Sequence, residues 1–352
     1  MKNLLSVLFG VFICCSAAHA QDSTKEQSPP LLSGYADVYY KYNFNKNETD
    51  NKTSFTNSHN SFELGMISLK VQHAFGKVSV YGDLGFGKRA DEFSYTDEKT
   101  SLAIKQLYVS YAPADWVTLA LGSFATHVGY ELVDADLNRN YSMSYMFSYG
   151  PFSHTGLKAT FKAGDHSFMV GVFNPTDYKY APPDSKKYIG AQWAFTPSES
   201  GFSSYLNYIG GEDTSGLRND QLDVVLNYTV SDHFSLGYNG TYSHYKFEDN
   251  KTAWWGSALY LNGDFTEHFG LTLRGEYFSD KDGVKVFTDA AAFPDGGSVL
   301  SFTLSGNCKI GGHLRLVPEI RLDQASETLF NKGNGSPTQS SPSALFAAIY
   351  SF

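Results

Sequence analysis

From Leu31 to Phe352, apolar and polar residues alternate in segment after segment, and no helical period interrupts them. Period two sends successive side chains to opposite faces of a strand, so the pattern commits this stretch to sheet. The segment "LSGYADVYYKYNF" sets Ala36, Val38, Tyr40, Tyr42 and Phe44 against Tyr35, Asp37, Tyr39, Lys41 and Asn43. In "TGLKATFKA", Leu157, Ala159 and Phe161 oppose Lys158, Thr160 and Lys162. In "LDVVLNYTV", Leu222, Val224, Leu226, Tyr228 and Val230 oppose Asp223, Val225, Asn227 and Thr229. The segments reach about ten residues, which suits a tilted membrane strand better than a strand of a soluble sheet.

The connections supply the topology. Short ones fall at 75–77, 113–115, 164–166, 197–201, 231–233, 266–268 and 311–312. Longer polar ones include 45–61, 128–154, 280–298 and 324–342, and short and long read as strictly alternating. Seven short turns and eight longer loops join about sixteen strands, with both termini at the short-turn rim. In bacterial outer-membrane barrels that rim is periplasmic. The expected fold is therefore all-β: a closed antiparallel transmembrane β-barrel with periplasmic termini. Trp116, Phe234 and Phe269 each follow an acidic short turn, where amphipathic rings would sit at the headgroup level.

Composition narrows the class. The 24 Tyr, 27 Phe and 32 Gly suit strands and turns rather than helices. A net charge of −9 argues against nucleic acid as a partner. "MKNLLSVLFGVFICCSAAHA" has a basic start, an apolar run and a small-residue cleavage site, so residues 1–20 read as a signal peptide cut before Gln21. Residues 21–30 read as a flexible periplasmic leader too short for a plug domain, and 31–352 as the barrel. Cys14 and Cys15 would leave with the signal, so Cys308 would be alone and no disulfide is expected.

The chain ends on "ALFAAIYSF", a full alternating strand that can close the barrel onto its first strand. Phe346, Ala348, Tyr350 and Phe352 resemble the assembly signal of outer-membrane barrels, which implies delivery by the barrel-assembly machinery. Three further stretches, 140–161, "VGVFNPTDY" (170–178) and "LVPEIRLD" (316–323), resemble the OmpL-like β-barrel porins. The residues that carry the likeness are Pro151, Phe152, His154, Thr155 and Gly156, then Pro318, Glu319 and Arg321. Asn174-Pro175-Thr176-Asp177-Tyr178 departs from the family's element at that place. The resemblance implies an outer-membrane porin that passes small hydrophilic solutes and ions by passive diffusion.

Charge parity then names a candidate pore. In "LRLVPEIRLD", Arg315, Glu319, Arg321 and Asp323 share one face while Leu314, Leu316, Ile320 and Leu322 share the other, which places the charges in the lumen. Pro318 lacks an N–H, so a bulge is expected there. Asp37, Lys41, Lys158, Lys162, Asp223, Arg274 and Glu276 join the pore-lining set by the same parity. Loop 128–154 is long enough to bend inward as a constriction, with Glu131, Asp134, Asp136 and Arg139 as its charges; an acidic surface loop is the other reading. Asp134, Asp136 and Asn138 have calcium-loop spacing, but Arg139 and Tyr145 stand where the turn glycine and closing Glu belong. The loop roots between the fifth and sixth strands. Arg274 lies on the thirteenth and Arg315 and Arg321 on the fifteenth, so the acids would face a basic wall across an opening.

An enzyme is not expected. His59, His127, His154 and His244 lie near the long-loop rim, yet no Gly-x-Ser-x-Gly and no His/Cys metal spacing occurs. No cofactor or metal is called for. Expected partners are outer-membrane lipids, the assembly machinery, small hydrophilic solutes and further copies in a homo-trimer. The alternative is a non-conducting barrel serving as adhesin or scaffold, and the filling of the lumen separates the two.

Overall fold

The computed structural model describes residues 29–47, 50–94, 97 and 103–352; the expected signal peptide and residues 21–28 of the leader lie outside them. The first barrel strands are β1 (Leu31–Asn43), β2 (Ser61–Phe75), β3 (Val78–Phe86), β4 (Ile104–Ala114) and β5 (Val117–Ala125). Next come β6 (Ser153–Ala163), β7 (His166–Phe173), β8 (Tyr188–Phe195), β9 (Phe202–Glu212), β10 (Arg218–Ser231) and β11 (Phe234–Phe247). Then follow β12 (Asn250–Asp264), β13 (Phe269–Asp280), β14 (Gly297–Ile310) and β15 (Leu314–Ala325). A small ribbon, β16 (Phe330–Asn331) with β17 (Pro337–Thr338), precedes the last barrel strand, β18 (Ser340–Ser351). Sixteen strands form one closed antiparallel barrel in which β18 lies between β15 and β1.

All seven short turns lie where the alternation put them. The opposite rim departs from the expected strict pattern: β11 and β12 are joined by Glu248 and Asp249 alone, because Phe247 still pairs with Asn250. The strand count survives, since a two-residue turn reverses the chain as well as a long loop does. Closure is made at the other rim, where the Gly34 N–H donates to the Phe352 carbonyl and the Phe352 N–H to the Gly34 carbonyl, both at 3.0 Å.

The outer face is a continuous apolar band. Leu121, Leu222, Val230, Phe302 and Ile320 are exposed on it, and Trp116, Phe234 and Phe269 are exposed at the short-turn rim. In water such a band would cost about 25 cal/mol for each Å² left wet, whereas acyl chains accept it. Phe346, Tyr350 and Phe352 point outward into the same band. Pro318 also points outward, and no bulge forms there: β15 keeps one register with β14 and β18 through that position. Gly306 makes this workable, because a Cβ there would lie 3.0 Å from Pro318 Cγ.

The lumen is filled most densely on one side. Residues 126–152, here called L3, fold inward and carry the short helix α2 (Tyr145–Tyr149). A second short helix, α1 (Lys88–Phe93), follows β3. Phe55 from the loop after β1, Phe93 from α1, and Tyr141, Phe147 and Phe152 from L3 form one aromatic cluster against Tyr35, Tyr39, Leu345 and Ile349 of the wall. Tyr145 and Met146 of L3 join Trp254, Phe278, Phe287 and Phe330 in a second cluster.

Candidate functional site

L3 has little regular structure of its own, so its backbone polar groups need partners once they leave water. The barrel wall provides them in complementary order. Wall carboxylates accept loop N–H groups: Gly129 donates to Asp223 (3.0 Å), Tyr141 and Ser142 to Glu319 (2.7 and 3.1 Å), and Tyr145 and Met146 to Glu276 (2.8 Å each). Wall guanidinium groups donate to loop carbonyls: Arg274 to Ser142 (2.8 Å), Arg321 to Met143 (2.6 Å) and Arg315 to Ala135 (2.7 Å). Arg274 also pairs with Glu131, and Arg321 with Asp323 at 2.8 Å. The Tyr145 hydroxyl donates to Asp323 at 3.1 Å.

This arrangement corrects the expected geometry. Arg274 and Arg321 do not look across an opening at the loop's acids; they are buried beneath the loop and in contact with it. Of those acids, Glu131 alone has an ion pair with that wall. Asp134 turns to the other side, where Lys70 lies at 2.7 Å and Lys105 also pairs with it. Burial works against its charge, but the two ammonium groups win and hold the carboxyl at about 2. Lys105 bridges onward to Asp83 at 2.9 Å. Asp136 stays partly exposed, and burial pushes its carboxyl up to about 6 despite Lys70. Asn138 is used within the loop, donating to the carbonyls of Leu132 (2.6 Å) and Asp134 (3.1 Å). With Asp134 occupied by two lysines, the calcium-like spacing gathers no ligand set, and no metal-holding group occurs among the described residues. Arg139 is tied to Asp264 at 2.8 and 3.0 Å and to Thr272 at 2.8 Å.

Asp37 and Lys41 are likewise anchors. The Asp37 carboxylate accepts the Met66 N–H at 3.0 Å and the Tyr141 hydroxyl. Gly65 is required beside it, since a Cβ there would sit 1.8 Å from an Asp37 oxygen. Lys41 holds the loop after β1 through the Thr56 carbonyl (2.8 Å) and Asn51 (2.9 Å).

The two ends of L3 are tied together at the wall. Thr126 donates its N–H to the Phe152 carbonyl (3.0 Å), and its hydroxyl meets His154 Nε2 (2.9 Å). The His127 and His154 rings lie 4.9 Å apart beside Phe173. Burial lowers His127 to about 4, although its ring is hydrogen-bonded to the Tyr208 carbonyl. Asp177, from the segment that departs from the family pattern, accepts the Phe152 and Ser153 N–H groups at 2.7 and 2.8 Å.

Sequence reasoning did not single out Lys70, Lys105, Arg89 or the anchoring use of Asp177. Inward parity marks Lys70, but nothing local marks Arg89, which reaches the Val133 carbonyl (3.2 Å) from α1 between the Phe55 and Tyr141 rings.

The filling is uneven. Inward residues of β13, β14, β15, β18 and β1, such as Arg274, Ser301, Thr303, Glu319, Ser341 and Asp37, are buried. Several inward residues of β6 to β10 stay partly open, Thr160, Ser167, Gln192, Ser203 and Asn227 half-buried and Lys162 exposed, although Met169, Asn207, Ile209, Asp223 and Val225 of the same wall are buried. L3 is docked most extensively on the β13 to β1 wall, its first residues also reach β9 and β10 through the Tyr208 carbonyl and Asp223, and a polar strip of Thr160, Ser167, Gln192 and Ser203 remains accessible.

Comparison with known proteins agrees with this architecture. A family model described as "Putative beta-barrel porin-2, OmpL-like" matches residues 31–352. Among curated proteins, none matches the chain. The fold is similar to the outer-membrane channel DcaP of Acinetobacter baumannii, with a TM-score of 0.64 and 12% identity over 95% of this chain and 100% of that one. An anion-selective porin from Comamonas acidovorans gives 0.63 at 12% identity, over 93% of this chain and 100% of that one. Vibrio cholerae OmpT gives 0.58 at 11% identity, over 94% and 100% respectively.

Proposed function

The chain belongs to the OmpL-like β-barrel porin family and is a porin-like channel of the bacterial outer membrane; on that premise we propose that small hydrophilic solutes and ions cross it passively between L3 and the β6–β10 wall. The observation that carries this reading is the contrast between the buried inward residues of β13 to β1 and the accessible Thr160, Ser167, Gln192 and Ser203. A water-filled strip beside a docked loop gives a narrow diffusion path, and no step in it needs catalysis, so the chain acts as a channel and not an enzyme.

In this reading the long-loop rim faces outward and the termini face the periplasm. Residues 1–20 direct export, and the outward aromatic positions of β18 are offered to the barrel-assembly machinery. One Vibrio cholerae OmpT structure is described as a trimer form; a homo-trimer is proposed for this chain on the strength of the shared fold.

The alternative, a non-conducting scaffold, is favoured by one feature: aromatic side chains from three loops pack over the long-loop half of the lumen. Planar-bilayer recording separates the two. The channel reading predicts small, ohmic single-channel steps, and larger steps when L3 is shortened across 131–149. A folded barrel that is silent in both forms would favour the scaffold.

A further inference from the structure

The outer face of β10 to β12 becomes basic at its long-loop end. Leu222, Tyr242 and Trp255 are exposed on that face as one cross-strand row, and the rings of Tyr242 and Trp255 suit the headgroup level. Four residues further toward the long-loop rim, with the same parity, stand Arg218, Lys246 and Lys251, all exposed. They are again in register, Arg218 opposite Lys246 and Lys246 opposite Lys251. Four residues span about 13 Å along a tilted strand, so this basic row stands above the apolar band, at the depth of charged headgroups. At the corresponding end of β1 and β2 the exposed residues are instead Phe44 and Phe62.

Like charges directly opposite across a ladder repel, so an anion that bridges the row stabilises it. The neighbouring acids are engaged elsewhere. Arg218 forks onto Asp220 at 2.6 and 2.7 Å, and the Tyr208 hydroxyl donates to the same carboxylate at 2.6 Å. Glu212 pairs with Lys186, and Asp282 accepts the Ala253 N–H at 2.7 Å. Among the described residues no ion pair joins Lys246 or Lys251 to Glu248 and Asp249 of the turn between them. We propose that Lys246 and Lys251, with Arg218 beside them, bind the phosphate groups of the outer-leaflet glycolipid, lipid A, whose acyl chains lie along Leu222, Tyr242 and Trp255. The proposal rests on the orientation given above, with the long-loop rim outside, and not on conduction. Lysine stems can lie on the apolar surface while their ammonium groups reach the headgroup. A sugar headgroup phosphorylated at both ends can meet adjacent strands, which are about 5 Å apart.

Retention of lipid A by the detergent-folded barrel, followed by native mass spectrometry, tests this. Wild type should retain diphosphorylated lipid A in preference to its dephosphorylated form and to phosphatidylglycerol. Lys246→Gln with Lys251→Gln should weaken retention about fivefold for each lysine removed, and Glu248→Gln with Asp249→Asn should strengthen it. Heat-modifiable gel mobility of each variant verifies folding. Equal retention of the dephosphorylated lipid, or retention unmoved by the double lysine substitution, overturns the proposal. Phosphatidylglycerol held as well as lipid A overturns the choice of glycolipid. The orientation is tested separately, by labelling Asn250→Cys in a Cys308→Ser background with a membrane-impermeant maleimide. Labelling on intact cells upholds the orientation, so that any failure belongs to the lipid site alone. Labelling only after lysis overturns the orientation and the glycolipid partner with it.

Discussion

Glu319 illustrates how an inward charge is used in this barrel. Its carboxylate accepts the N–H groups of Tyr141 and Ser142 and the Ser305 hydroxyl (2.7 Å), so it organises backbone rather than lining water. Hydrogen bonds to a charged group contribute about 1.5–3 kcal/mol, and an uncharged amide presents one acceptor and an opposing N–H₂ group. Glu319→Gln should therefore weaken L3 docking by about 2 kcal/mol while leaving the strand ladders intact. Bilayer recordings should then show more frequent excursions to larger conductance; traces as quiet as wild type would argue that the contact does not hold the loop. Parity alone placed Glu319, Arg321 and Asp323 inside the barrel. It could not reveal that they meet L3, because Glu319 and Tyr141 are 178 residues apart in the chain and no local pattern encodes that contact.

At the level of the element, L3 is a loop held against the wall by many modest contacts, with the histidine pair at its base. His127 is buried at about 4, below the roughly 6.5 of an exposed imidazole. The undocked loop therefore binds the proton more readily than the docked one. Docking stability is full above about pH 6.5 and is lost as pH falls through about 4. Acidification over that window should raise the fraction of large-conductance events, and His127→Gln should flatten the response. A wild-type response that persists unchanged in His127→Gln would move the sensitivity to another group. The existence of this loop was legible from its length, and its observed span of 126–152 lies within two residues of the expected one. Its partners were not legible: the expected opposition of Asp134 to the arginines gave way to Lys70 and Lys105, which lie nearer on β2 and β4. The two-residue turn at Glu248 and Asp249 escaped as well, because pairing runs on through Phe247 and Asn250 and leaves no long loop between them.

For the whole molecule, period two and connection length were enough to specify a closed sixteen-strand barrel, because a sheet with one apolar face must either bury that face or give it to lipid. Closure by β18 onto β1 follows from the same alternation. What alternation cannot supply is the state of the interior, which depends on loops whose side chains obey no period. The central claim is that L3 divides the lumen into a sealed side and an open side. Single cysteines introduced in a Cys308→Ser background test it most directly, with Thr160→Cys and Ser167→Cys on the open side and Ser301→Cys and Thr303→Cys on the sealed side. Conductance is then followed during exposure to a charged, thiol-reactive methanethiosulfonate. The structure predicts that the first pair reacts and reduces conductance while the second pair stays unmodified. Reaction at 301 and 303, with 160 and 167 silent, would contradict the account.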